Sequence, residues 1–147
     1  MAISPLCAGL LVQRGVKTLE EARYFLRAGL QDLQDSFSLA GLEFATKRIK
    51  QAIAAGEKIV IYGDYDADGV CSIVILKQCL DILGASVDYY VPDRFNEGYV
   101  LNMQAVEHLA NSGCNLLISV DCGITSVAEV ERAVNLGMDV IISDHHT

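Results

Sequence analysis

The sequence predicts an α/β fold, a Rossmann-like parallel sheet in βαβαβαβ order preceded by N-terminal helices. Three observations carry this reading. From Lys58 onward, short β-branched apolar runs alternate with stretches whose apolar residues recur near every 3.6 positions. The runs are continuously apolar rather than alternating, as expected of strands covered on both faces by helices. Each intervening stretch meets a glycine at or just past its end, Gly84, Gly113 and Gly137, where a helix C-cap needs a left-handed backbone.

Taken in order, residues 5–14, 18–28 and 42–55 carry helical patterns, and no strand signal precedes Lys58. Thr18-Leu19-Glu20-Glu21 is a capping box that opens the second helix. Residues 31–41 are polar and bear Gly and Ser, which reads as a loop. The expected organisation is a helical region over 1–57 and an α/β core over 58–147. Within the core the predicted strands are 59–62, 87–91, 116–120 and 140–142, separated by helices over 70–83, 102–112 and 125–136.

With 147 residues, 52% of them hydrophobic, the chain can bury one sizeable core and is too apolar for disorder. No run approaches the ~20 apolar residues of a membrane span. The N-terminus has no basic flank followed by an apolar h-region, so the expected location is the cytoplasm. Five cysteines, Cys7, Cys71, Cys79, Cys114 and Cys122, are an odd number without a C-x-x-C pair. This excludes a disulfide framework and a zinc knuckle, and leaves buried small hydrophobes as the expectation.

A formal charge of −8 argues against a nucleic-acid binder until it is divided along the chain. Residues 1–63 hold eight Lys/Arg against six Asp/Glu, and residues 64–147 hold three against thirteen. The excess acid sits beside glycines at the ends of apolar runs. In an open parallel sheet, ligands bind outside the carboxyl ends of the strands. The segments after the four strands are uniform in character: Gly63-Asp64-Tyr65-Asp66-Ala67-Asp68-Gly69, then Pro92-Asp93-Arg94, then Asp121-Cys122-Gly123, then Asp144-His145-His146. Six Asp, two His and one Arg thus meet one rim, where repulsion calls for a cation.

One Asp after a strand is commonly a helix N-cap, but capping one helix does not need three Asp in five residues. An EF-hand loop also begins Asp-x-Asp-x-Asp-Gly; its twelfth position must be Glu, and here it is Ile75. A dinucleotide loop fails because Gly63 and Gly69 are too far apart for G-x-G-x-x-G and the carboxylates would repel a pyrophosphate. Carboxylate mixed with imidazole suits manganese or another octahedral divalent ion. Two such ions bridged by a carboxylate activate a water and clamp phosphoryl oxygens. His145 and His146 are consecutive, so an extended backbone would point them apart, one to metal and one to substrate. His108, inside a helical pattern, reads as an ordinary helix residue.

These motifs, Asp64-Tyr65-Asp66-Ala67-Asp68-Gly69, Pro92-Asp93-Arg94 with Glu97-Gly98-Tyr99, Val120-Asp121-Cys122-Gly123 and Asp144-His145-His146, resemble in order those of the DHH phosphoesterase superfamily. Within it, Ile61-Tyr62-Gly63 and the run from Pro92 to Tyr99 resemble the RecJ family of exonucleases, which degrade single-stranded DNA from the 5′ end. The resemblance implies metal ligands at Asp66, Asp68, Asp121 and His145, with Asp121 bridging two Mn2+ or Mg2+ ions. It implies catalytic roles for Asp64 and His146, and contact of Arg94 and His146 with the scissile phosphate. Single-stranded DNA is the implied partner, and no membrane is. Val100 stands where the family usually has Gly, and Cys71 where it usually has Thr. A further Asp ligand and a C-terminal substrate-binding domain are expected beyond Thr147, so the isolated chain is expected to be inactive or weakly active. The rival readings are a DHH phosphodiesterase for oligoribonucleotides or cyclic dinucleotides, a pyrophosphatase, and a non-catalytic divalent-ion or nucleic-acid binding module.

Overall fold

The structure is a computed structural model that describes residues 3–93 and 100–146. The chain forms two compact units, residues 1–42 and 43–147. The first contains α1 (Pro5–Gln13), α2 (Leu19–Arg27) and two 3-10 turns, Leu30–Asp32 and Ser36–Ser38. Pro5 opens α1 at the position where its missing N–H costs nothing, and Ser4 caps it. The Thr18 box forms as expected: the Thr18 hydroxyl accepts from the Glu21 N–H at 3.2 Å, and the Glu21 carboxylate accepts from the Thr18 N–H at 2.9 Å. In place of the expected loop over 31–41 the chain makes tight turns, one capped by Asp35.

The second unit holds α3 (Leu42–Ala55) from its second residue on, then β1 (Lys58–Gly63), α4 (Ala67–Ile82), β2 (Ser86–Tyr90), α5 (Met103–Asn111), β3 (Leu116–Val120), α6 (Val127–Asn135) and β4 (Asp139–Ser143). The four strands are parallel in the order β2-β1-β3-β4. Side chains alternate across a strand, so successive residues of β1 feed two cores. Ile59 and Ile61 join Ala52 of α3 with Ile73 and Leu80 of α4 on one face. Val60 and Tyr62 join Val106 and Leu109 of α5 and Ala133 of α6 on the other. Arg48 of α3 pairs with both Glu57 and Asp139, tying that helix to the start of β4. Helix α3 therefore folds as a layer of the α/β unit.

Helix α4 begins at Ala67, earlier than its apolar periodicity indicates, because Asp66 caps it and draws the acidic motif into its first turn. Its start is pressed onto the residue that follows β1. A Cβ at Gly69 would lie 2.4 Å from the Asp64 carbonyl oxygen, so only glycine permits that approach.

The cysteines depart from expectation. Cys114 and Cys122 are buried, but Cys7, Cys71 and Cys79 are exposed on helices, since a thiol is small enough to be tolerated at a solvated helical position. Among the described residues no helix is long and apolar enough to cross a membrane.

Candidate metal centre

The strand order reverses between β1 and β3, which is where a parallel sheet opens a crevice at its carboxyl edge. Register then places the acids. Gly63 of β1 is level with Val120 of β3, and Val120 is level with Ser143 of β4. The next residues are Asp64, Asp121 and Asp144, so three carboxylates leave three adjoining strands at the same level, with a strand spacing of about 4.8 Å.

Asp121 sits at the middle of this row. It is buried, and its φ of 61° is the one positive value at a non-glycine among the described residues. Its carboxylate lies 2.9 Å from His145 Nε2. Asp121, His145 and His146 each offer a ligand atom within 4.8 Å of the others. The two imidazoles are thus brought together, with ring centroids 4.4 Å apart, which corrects the expectation that they diverge. The cause is local: Asp144 Oδ1 accepts from the His146 N–H at 3.0 Å, which turns the chain where an extended strand would have continued.

Asp144 is itself organised. Its Oδ2 accepts from the Ile124 N–H at 3.0 Å and its Oδ1 lies 2.7 Å from His146 Nδ1. Burial alone would raise its pKa, but these partners outweigh burial and hold it down to about 2, while the hydrogen bond to Asp144 raises that of His146. A carboxyl whose folded pKa lies below its unfolded value of about 3.9 adds stability that is present above that value and is lost as pH falls through about 2. In chelator, the stability gap between the parent and Asp144→Asn in urea melts should be present near pH ~5 and close between about pH 4 and 2. A gap unchanged at the lowest pH would show that the charge of Asp144 contributes nothing.

Asp64 is 1% exposed. Its Oδ1 accepts from the Tyr65 N–H at 2.6 Å, while its Oδ2 is buried without a hydrogen-bond partner among the described residues. A buried carboxylate oxygen left unmatched is unfavourable, and a cation satisfies it. Asp66 Oδ1 accepts from the N–H groups of both Asp68 and Gly69, at 2.9 and 3.0 Å, so the capping role is real for Asp66 and takes one of its two oxygens. Asp68 is exposed in the first turn of α4. Arg94 lies outside the described residues, as do Glu97, Gly98 and Tyr99. Asp93 is exposed beyond β2. His108 is exposed on α5 with its ring 6.1 Å from that of Tyr90.

Cys122, next to Asp121, is buried. Burial, reinforced by the charges of Asp64, Asp144 and Asp121, pushes its thiol up to about 12. The donors brought together are carboxylate and imidazole, with a buried carboxylate oxygen of Asp64 beside them, and they fit Mn2+ or Mg2+.

The profile of the DHH family, N-terminal domain, matches residues 58–147, the whole span from β1 onward. The chain belongs to the DHH family. Among curated relatives of this DHH chain, the single-stranded-DNA-specific exonuclease RecJ of Bacillus subtilis is 52% identical over 98% of the chain and 18% of its own length. The protein of the same name from Escherichia coli is 37% identical over 98% of the chain and 24% of its own length. The chain thus spans about a fifth of these relatives.

Solved structures agree with the fold. A crystal structure of exonuclease RecJ bound to manganese superposes with a TM-score of 0.69 and 43% identity, over 74% of the chain and 28% of that protein. RecJ from Thermus thermophilus in complex with Mn2+ gives 0.69 and 30% identity over the full chain and 22% of that protein. Its Mg2+ complex gives 0.55 and 27% over 98% of the chain and 16% of that protein. These structural neighbours carry the two ions that the donor chemistry of the rim selects.

Proposed function

We propose that the chain is the N-terminal part of the catalytic core of a metal-dependent exonuclease that hydrolyses phosphodiester bonds of single-stranded DNA from the 5′ end. The observation that carries this reading is the row Asp64, Asp121 and Asp144 on adjoining strands, with His145 on Asp121 and His146 on Asp144. Identity of 52% to a single-stranded-DNA-specific exonuclease supports the substrate class. When bound, a pair of divalent cations supplies Lewis-acid polarisation of a phosphoryl group and acidifies the attacking water. Asp66, Asp68, Asp121 and His145 would hold the cations. Asp64, buried beneath the rim, completes the anionic floor. His146, fixed by Asp144, presents its other ring nitrogen toward the substrate. Arg94 pairs with phosphate oxygens, to which a guanidinium donates bidentately and to which a metal-ligand role is closed because it has no lone pair. The remaining four fifths of the relatives' length supplies the surface that grips the strand, and the working location is the cytoplasm.

The test grafts this chain in place of the matching N-terminal segment of the Bacillus subtilis relative. With Mn2+, the chimera should shorten single strands from the 5′ end and leave duplex DNA and short RNA largely intact. Asp121→Ala or chelator should stop it, and the 147 residues alone should do little. Turnover that survives both would remove the metal from the reading, and preference for short RNA would move it to the oligoribonucleotide phosphodiesterases.

A further inference from the structure

The geometry points to Ser119 as the positioning residue that presents Asp121 to the cation, an inference that rests on the metal reading above. Every residue of β3 is buried, and Ser119 is the one polar side chain in it, with none of its surface exposed. A hydroxyl in that place is unfavourable unless it is bonded, and a serine at a strand position otherwise filled by Leu, Ile and Val needs a reason. Its Oγ donates to the carbonyl of Cys122 at 2.8 Å. This bond closes a loop over Val120 and Asp121, the latter held in the left-handed region that L-residues adopt at a cost. The Asp121 N–H donates to the Ser143 carbonyl at 2.8 Å, so the residue is fixed from β4 on one side and by the Ser119 clamp on the other.

Gly123 makes room for the clamp. A Cβ there would come 3.0 Å from Ser119 Oγ and 3.2 Å from Ile142 Cδ1, and its φ of 107° suits glycine alone. The polar atom at position 119, the strained Asp121 and the bare Gly123 are one device. It aims a buried carboxylate at His145 rather than letting the turn relax into an ordinary strand end. Ser119 touches neither cation nor substrate and acts through Asp121.

Mn2+ is titrated into the full chain by calorimetry, with the electron paramagnetic resonance spectrum of the bound ion as a second readout. Ser119→Ala should weaken Mn2+ about 10- to 100-fold, the range seen when a group that orients a ligand is removed, and should alter the spectrum of the residual bound ion. Ser126→Ala, at a buried serine that makes no capping bond to α6, should bind as the parent does. Circular dichroism establishes that each variant is folded. Should Ser119→Ala not fold, Ser119→Cys, of similar volume and weak as a donor, decides by the same measure. A folded variant that binds within about twofold of the parent with an unchanged spectrum overturns the assignment of Ser119 alone. A parent that binds no Mn2+ overturns the metal reading and this assignment with it.

Discussion

Asp121→Asn should weaken Mn2+ binding by about 100-fold or more while leaving the metal-free chain at least as stable as the parent. Both halves follow from position. Asp121 is the middle of three carboxylates set level by the pairing of Gly63 with Val120 and of Val120 with Ser143, and it is 2.9 Å from His145. Removing its charge takes away the carboxylate at the centre of the row and also relieves its repulsion with Asp64 and Asp144. Asparagine tolerates the left-handed backbone at this position about as well as aspartate does. Asp121→Ala should lose the metal equally and in addition melt lower, since alanine lacks that tolerance.

In the parent, Mn2+ at a hundredfold excess over Kd adds about 2.7 kcal/mol, which raises the melting temperature by several degrees. Thermal scans of the parent and both variants, each with chelator and with manganese, read all of these effects. Asp121→Asn that gains as much from manganese as the parent would remove Asp121 from the site.

Gly69→Ala should lower the melting temperature by roughly 10 °C, a loss of about 3 kcal/mol, although it adds a single methyl group and alanine is the better helix former. The added Cβ would lie 2.4 Å from the Asp64 carbonyl oxygen and 2.8 Å from its C and N. These are backbone atoms of the residue that follows β1, so no side chain can swing aside. Helix α4 must retreat from the turn that follows β1, and with it the first turn that carries the Asp66 cap and Asp68. Manganese affinity should fall together with stability. Gly9→Ala, in α1 with open space around it, is the contrast and should be neutral or slightly stabilising. A Gly69→Ala chain that melts within about 2 °C of the parent would show that this close approach does not hold α4 in place.

The site was legible in part because its motifs are dense and lie where strand runs end. The acids at 64, 66, 68, 121 and 144 and the paired histidines stand out against continuous apolar runs. Ser119 was not legible. Within Leu116–Val120 it reads as one polar interruption in a strand, and its partner is the carbonyl of Cys122, which no side-chain pattern announces. The turn that gathers His145 and His146 was missed for a related reason: it is made by the Asp144 carboxylate accepting from a backbone N–H.

Periodicity and composition by themselves determined the element types and their order, the parallel sheet, and the gathering of carboxylate and imidazole at its carboxyl edge. These depend on local apolar spacing and on the single rule that a parallel sheet presents the ends of its strands to one side. Only the tertiary structure decided which of those groups meet. Strand order and register set Asp64, Asp121 and Asp144 side by side, backbone donors left Asp64 Oδ2 without a partner while engaging Asp66 in a helix cap, and a buried hydroxyl held Asp121 in its strained conformation. Backbone hydrogen-bond geometry and the close approach that Gly69 allows depend on packing that residue type and periodicity do not encode.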